Sequence, residues 1–258
     1  MDKGSRRAIL RAGHRAKWAL GDQALSSLTN FALGVLVARA VTPEGLGAFS
    51  LAFASYTLAL NASRALVCSP VLVRHSATGD TDWRSGVRSA GGAALSLAAI
   101  VSVICLVVAL LTAGAMQQAF LGLAATMPGL LLQDLWRFSF FAGRREPAGL
   151  VNDLIWAAVM LPALGVLSFL GQHVVGWYVI AWGGAATVAA VVGIVQAGVV
   201  PRPTEAVGWF RKHSDLGPRY LGEFAAIQAG REFIIYFTAA VAGLAATGSL
   251  RAGEILMG

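Results

Sequence analysis

Long hydrophobic runs without any charged residue alternate with short polar segments along this chain. One run extends from Ser89 to Gln117, and another extends from Leu154 to Pro201, divided by the polar point Gly171-Gln172-His173. Because a helix needs about 20 apolar residues to cross a bilayer, the first run predicts one transmembrane helix and the second predicts two. The full pattern predicts seven spans: Trp18–Ala38, Leu46–Val73, Ser89–Thr112, Gln118–Phe141, Val151–Leu170, Val174–Val200 and Tyr220–Ala245.

The order of these spans predicts an all-α integral membrane protein, with a six-helix transmembrane bundle followed by the first helix of a second bundle. We expect a cytoplasmic basic tail over residues 1–17, the bundle over 18–200, a cytoplasmic linker over 201–219 and the start of a second, truncated bundle over 220–258. The linker contains several prolines, which disfavour a long helix. Its Trp209-Phe210 pair suits either an amphipathic segment on the membrane surface or a solvated loop.

Lys and Arg are concentrated in alternate connections between the spans. The N-terminal tail and the second, fourth and sixth connections carry fifteen of them, whereas the first, third and fifth connections carry Arg39 alone. Since short loops rich in Lys and Arg stay in the cytoplasm, we expect a multi-pass membrane protein with a cytoplasmic N-terminus. The basic residues that produce the net charge of +7 then face membrane lipids, so this charge does not indicate a nucleic acid partner.

Several spans contain charged or amide side chains, which are costly in hydrocarbon and usually face a hydrated cavity or the bundle interior. At about 100° per residue, the polar residues of the first span fall within an arc of about 160° and those of the second within about 60°. Arg64 has no acidic neighbour on its own helix, so Asp22 is its nearest candidate partner, whereas Asp134 and Arg137 lie one turn apart and can pair locally. The predicted cavity-lining residues are Asp22, Gln23, Asn30, Asn61, Arg64, Asp134, Arg137, Glu223 and Arg231.

Two structural roles stay open for these polar positions. Hydroxyl and amide side chains in membrane helices often hydrogen-bond one helix to another. Asp134 and Arg137 also lie close enough to the predicted cytoplasmic end to extend their charged groups to the interface. The third and sixth spans carry no charge, and we expect them to face lipid or to pack against other helices.

Sequence motifs of enzymes and of metal or cofactor sites are missing. The chain has no phosphate-binding loop of the Walker type, no H-E-x-x-H and no Cys/His cluster. His75 and Asp80 form the H-x-x-x-x-D pattern of some membrane acyltransferases, but no second motif accompanies it. We therefore predict no enzymatic activity, no cofactor and no metal.

Three segments share an order of polar and small residues with a known family. They are residues 27–52, SLTNFALGVLVARAVTPEGLGAFSLA, residues 137–145, RFSFFAGRR, and residues 247–254, TGSLRAGE. In this order they resemble the first two helices, the end of the fourth helix and the turn between the seventh and eighth helices of the polysaccharide flippases. That family belongs to the multidrug/oligosaccharidyl-lipid/polysaccharide exporter superfamily. Thr42 stands where its members commonly have Gly.

The resemblance implies the N-terminal half of a MATE-like flippase fold. Such proteins arrange two helix bundles around a central cavity and move lipid-linked oligosaccharides, such as O-antigen precursors, across the membrane by alternating access. Their first, second, seventh and eighth helices line the cavity. This would place Arg64 and Arg231 where they can pair with a lipid-linked diphosphate, and Asp22 where a coupling proton or sodium ion would bind. Glycan-assembly proteins would be further partners.

The chain ends at Gly258, where the eighth helix of that family would begin. We therefore expect a fragment of a longer transporter, or a half-length protein that assembles with another chain. Two other functions stay open. One is a drug or small-solute exporter of the same superfamily, with a more aromatic and less cationic cavity. The other is a non-transporting membrane partner in envelope-glycan assembly.

Overall fold

The structure, a computed structural model, describes residues 27–76, 79–227 and 229–257. The predicted basic tail, the start of the first span and a few side chains (residues 225–227, 229, 231, 256 and 257) lie outside this description. Within it the chain forms helices joined by short connections, and it contains no β-strand. The prediction of an all-α protein is therefore confirmed for the described ranges.

The helices follow one another with very short breaks. In chain order they are α1 Ser27–Ala40, α2 Pro43–Ser63, α3 Ser69–His75, α4 Asp80–Leu111, α5 Gly114–Ala142, α6 Glu146–Phe169, α7 Val175–Ala197, α8 Ala206–Lys212, α9 Gly217–Ile227 and α10 Ala229–Met257. A π-helical segment, Arg64–Cys68, joins α2 to α3, and a 3₁₀ turn, Pro203–Glu205, precedes α8.

Six helical stretches of the described chain are long and apolar enough to cross a membrane. They are Pro43–His75, Asp80–Leu111, Gly114–Ala142, Glu146–Phe169, Val175–Ala197 and Glu232–Ile255. They correspond to the second to seventh predicted spans, so the chain is a multi-pass membrane protein. The 32 residues of α4 measure about 48 Å. Because the hydrocarbon core is only about 30 Å thick, the first turns of α4, before the predicted start at Ser89, project beyond it.

Local sequence signals explain where the helices begin and end. α2 begins at Pro43, because proline fixes a helical φ and needs no N–H partner in the first turn. Thr42 caps this turn, with its Oγ1 accepting the N–H of Gly45 at 3.2 Å. α7 ends at Gly198, whose φ of +63° is unfavourable for any residue with a side chain. The connection between the first two predicted spans thus contains the start of a helix.

α5 lies at the centre of the bundle and packs against α2, α4, α6 and α7. Its most extensive contact is with α7, because small residues let the two backbones approach closely. The facing positions are Gly122 with Gly176, Thr126 with Gly183, and Gly129 with Thr187. The uncharged sixth span therefore packs against other helices, as predicted. The uncharged third span, α4, exposes Ile100, Val103 and Leu110 to the surroundings of the bundle.

Contacts between connections place them at two opposite ends of the bundle. At one end Arg145 contacts Asp80 at 2.7 Å, and Arg84 donates to the Gly198 carbonyl oxygen at 3.0 Å. The second, fourth and sixth connections meet there, and we call it the basic end. At the other, neutral end, His173 Nδ1 lies 2.6 Å from the Ala40 carbonyl oxygen. This grouping matches the alternation of basic and neutral connections in the sequence.

The predicted position of the turn after the last span is wrong. The last membrane-spanning stretch continues to Ile255, beyond the predicted end of the span at Ala245. Residues 247–254, which resemble a turn between two helices, lie inside α10. The break lies instead at Gly243, where φ is +82°, a value that glycine adopts easily because it has no Cβ.

Candidate functional site

Arg64 lies within a membrane-spanning stretch, at the start of the π-helical segment. The Ser69 N–H donates to the Arg64 carbonyl oxygen five residues earlier, and π-helical turns of this kind are frequent at functional sites. The helical rise places Arg64 about 17 Å from the end of the stretch at His75. A charge at such depth costs about 2.5–3.5 kcal/mol on insertion scales, so it requires a partner.

Asp134 on α5 is the partner of Arg64. Arg64 Nε donates to Asp134 Oδ2 at 3.0 Å and Nη2 donates to Oδ1 at 2.6 Å, the two-bond geometry that a guanidinium and a carboxylate prefer. The Asp134 side chain is 6% exposed and that of Arg64 is 35% exposed. The acid is therefore buried while the guanidinium reaches the edge of a cavity. The predicted local pair of Asp134 with Arg137 is wrong, because this interhelical pair takes its place.

Arg137 instead contacts α6, where its Nε lies 3.6 Å from Asp153 Oδ2. Gln133 Nε2 donates to the same carboxylate at 2.6 Å, and the neighbouring Asn152 donates to Gln196 Oε1 on α7 at 3.0 Å. A buried polar network thus continues from α5 into α6 and α7. Asn152 and Asp153 were not among the predicted site residues, although both are polar positions inside the predicted span Val151–Leu170 and could have been found there.

A cavity of about 330 Å³ lies beside the ion pair, between α9 and the stretch that carries Arg64. Its lining residues are Asn61, Arg64, Ala65, Ser69, Tyr220, Glu223 and Phe224. The structure therefore brings together three of the predicted site residues, Asn61, Arg64 and Glu223. The pair with Asp134 uses two of the five N–H donors of Arg64, which leaves three for a ligand. We call this space the polar cavity.

The charges of the polar cavity differ from the cationic lining that the resemblance implies. Asp134 neutralises Arg64, and Glu223 adds a carboxylate, so the described lining carries no net positive charge. Planar polar groups occur here together with the rings of Tyr220 and Phe224. Such a mixture of donors, acceptors and apolar faces suits a sugar, which presents hydroxyls and an apolar ring face, better than it suits a diphosphate.

A second cavity, of about 610 Å³, borders a neighbouring face of α2 and extends to α4, α5 and α10. Its lining is almost entirely apolar and includes Leu58, Ile104 and Phe120. The two polar groups among the lining residues, the hydroxyls of Ser55 and Tyr236, hydrogen-bond to each other at 2.6 Å. We call this space the apolar cavity, and α2 borders both it and the polar cavity.

The remaining predicted site residues do not line the polar cavity or are not described. Asn30 is exposed on α1 and is not part of the lining. Asp22 and Gln23 lie outside the described residues, and so does the side chain of Arg231. Of the two arginines that the resemblance places beside a diphosphate, Arg64 and Arg231, the structure therefore describes only the side chain of Arg64.

The predicted linker folds against the membrane-spanning stretch near Arg64. Trp209 on α8 is 3% exposed, and its Nε1 donates to the Leu66 carbonyl oxygen at 3.1 Å. In an α-helix the donor to that carbonyl comes from the residue four positions later, which here is Pro70 and has no N–H. The predicted solvated loop is therefore wrong at Trp209, because the buried indole supplies the donor that proline lacks. The position of the segment on the membrane surface stays a prediction.

Trp209→Phe is expected to lower the free energy of unfolding by about 1–3 kcal/mol, because a buried carbonyl loses its donor while most of the ring remains. The measurement is equilibrium unfolding of the purified chain in mixed micelles. Trp177→Phe is the matched control, since Trp177 is 51% exposed. In a Pro70→Ala background the restored N–H should reduce the loss. An equal loss in both backgrounds would contradict the role assigned to Pro70.

Comparison with protein-family models, with curated proteins and with solved structures gives no match. Function is therefore inferred below from the geometry and chemistry of the two cavities and of the ion pair between Arg64 and Asp134.

Proposed function

We propose that this chain acts in a transporter that flips a lipid-linked oligosaccharide or polysaccharide precursor across the membrane by alternating access. The observation that carries the proposal is the position of α2, which borders a polar cavity of about 330 Å³ and an apolar cavity of about 610 Å³. A substrate with a sugar head and a hydrocarbon tail needs both environments within the membrane.

In this proposal the polar cavity holds the sugar. Arg64 donates to sugar oxygens, Glu223 accepts from hydroxyls, and the rings of Tyr220 and Phe224 pack against the apolar face. Asp134 holds the Arg64 guanidinium in place through two hydrogen bonds. The apolar cavity takes part of the hydrocarbon tail, for which the lining offers dispersion contacts and no unsatisfied polar group.

Binding of defined amphiphiles to the purified chain tests the proposal. We expect an isoprenyl-diphosphate-linked disaccharide to bind about tenfold more tightly than isoprenyl diphosphate without the sugar, a difference of one or two hydrogen bonds to charged groups. Arg64→Gln and Glu223→Gln should each remove most of this preference. Arg84→Gln is the matched control, because Arg84 pairs with Asp80 at the basic end and is not part of the lining of the polar cavity.

The two other outcomes have clear meanings. Equal binding of the two lipids would contradict a sugar site at the polar cavity. Tight binding of an apolar organic cation that does not depend on Arg64 would favour the drug or small-solute exporter, for which the apolar cavity is the supporting observation.

The proposed orientation has the basic end in the cytoplasm of a bacterial plasma membrane, because Lys and Arg of short loops stay on that side. We expect a membrane-impermeant maleimide to label Ala113→Cys at the neutral end in intact cells, and Arg211→Cys at the basic end only after permeabilisation. Both positions are exposed, whereas Cys68 and Cys105 are buried and provide a low background. Labelling of Arg211→Cys in intact cells would reverse the orientation.

A further inference from the structure

A third cavity, of about 570 Å³, lies at the basic end between the end of α3, the start of α4 and α8. Asp82 and Ser85 line it from α4. These residues belong to the part of α4 that projects beyond the roughly 30 Å of hydrocarbon, so the cavity lies at the depth of the lipid head groups. Neither the polar cavity nor the apolar cavity includes any of its lining residues.

His213 belongs to the lining of this cavity, and one of its ring nitrogens has no partner among the described residues. The residue is 2% exposed, its Nδ1 lies 2.9 Å from the Trp209 carbonyl oxygen, and its Nε2 is buried without a hydrogen bond. A carbonyl oxygen can only accept, so Nδ1 carries the proton and Nε2 presents a lone pair. Burial lowers the pKa of His213, and nearby Arg74 and Lys212 lower it further. The lowered pKa favours the neutral ring, whose Nε2 can accept a hydrogen bond.

The charged groups around the cavity are of both signs. Arg74 and Lys212 contribute cations, while Asp82 and Glu205 contribute carboxylates. A simple anion would face the two carboxylates, and a simple cation would face the two bases. In the described part of the chain no group of three or more His, Cys, Asp or Glu side chains could hold a metal ion. The lining therefore fits a ligand that carries both charges.

We propose that this cavity binds the head group of a zwitterionic phospholipid with a primary ammonium, such as phosphatidylethanolamine. The ammonium donates to His213 Nε2 and to Asp82, and the phosphate accepts from Lys212 and Arg74. The depth of the cavity in the head-group layer favours a lipid over a soluble compound. This site is independent of the proposed transport function, because it shares no residue with the two cavities that carry that function.

Native mass spectrometry of the full chain in detergent tests the site with lipids of identical acyl chains. We expect phosphatidylethanolamine to bind about tenfold more tightly than phosphatidylcholine, whose trimethylated nitrogen has no N–H to donate. Asp82→Asn and Lys212→Gln should each reduce the phosphatidylethanolamine affinity several-fold. Both residues are exposed, so these variants should fold. Arg211→Gln removes a charge from the adjacent exposed position as the matched control, and it should leave the affinity unchanged.

Three results would overturn the assignment. Equal affinity for the two lipids would exclude a role for the primary ammonium. An effect of Arg211→Gln as large as that of Lys212→Gln would mean that general surface charge attracts the lipid. Binding of soluble glycerophosphoethanolamine as tight as that of the lipid would assign the cavity to a soluble ligand instead.

Discussion

Arg64→Met is expected to lower the free energy of unfolding by about 3 kcal/mol or more, because it leaves the Asp134 carboxylate buried without its counter-ion. The Asp134 side chain is 6% exposed and cannot reach water. Asp134→Leu is expected to cost only about 1 kcal/mol, because the long side chain of Arg64, 35% exposed, can turn its guanidinium further into the polar cavity. Equilibrium unfolding in mixed micelles measures both values.

The double variant Arg64→Met/Asp134→Leu distinguishes the ion pair from simple packing. Replacing both charges by apolar groups of similar size is often neutral or stabilising, so we expect its stability to return close to that of the unmodified chain. Its preference for the sugar-linked lipid should still be lost. If the double variant were as unstable as Arg64→Met alone, the loss would come from packing of the Arg64 side chain, whose guanidinium carbon lies 5.4 Å from the centre of the Phe138 ring.

The sequence was sufficient to locate most of the helices, because an apolar segment in a membrane has few possible structures other than a helix. A chain within hydrocarbon must satisfy every backbone polar group internally, and an uncharged run of about 20 residues therefore forms a helix. The charge-free runs that begin at Ser89 and Leu154 correspond to α4, α6 and α7. The helix ends were less predictable. α4 begins at Asp80, before the predicted start at Ser89, because no residue in its first turns prevents a helix outside the membrane.

The partner of Arg64 could not be predicted from one helix at a time. Periodicity shows which face of a helix carries Arg64, but pairing with Asp134 also depends on the relative depth and rotation of α5. Asp134 and Arg137 are one turn apart and still contact different neighbours, the π-helical segment after α2 and helix α6. The spacing of one turn favoured a pair of Asp134 with Arg137. Arg64 is the better partner for Asp134, because two aligned hydrogen bonds between a guanidinium and a carboxylate are stronger than a contact between neighbours on the same helix.

The docking of the linker illustrates the same limit. Pro70 shows in the sequence that a carbonyl four residues earlier lacks its usual donor. Which distant group supplies that donor, here the Trp209 indole, follows only from the fold. The break of α10 at Gly243 could likewise not be predicted. The chain contains many glycines, and the environment of each glycine in the fold decides whether it takes a positive φ.

Gly183→Val is expected to lower the free energy of unfolding by roughly 3 kcal/mol or more, since overpacking at a close helix contact forces the backbones apart. A Cβ on Gly183 would overlap the side chain of Thr126 on α5. Thr126 cannot easily turn away, because its χ1 is restricted by branching at Cβ and its Oγ1 donates to the Gly122 carbonyl oxygen at 2.9 Å. The yield of monodisperse protein and equilibrium unfolding in micelles measure the effect.

Gly184→Val is the matched control, with the same change one residue further along α7. A Cβ there meets no atom within 4 Å, so we expect a change within about 0.5 kcal/mol. Lipid tails are as apolar as the side chains, and helices in a membrane therefore associate through close packing and hydrogen bonds instead of through the hydrophobic effect. An equal loss of unfolding free energy in both variants would mean that the low helix propensity of valine causes the loss. A loss confined to Gly183 would show that the contact between α5 and α7 holds the centre of the bundle together.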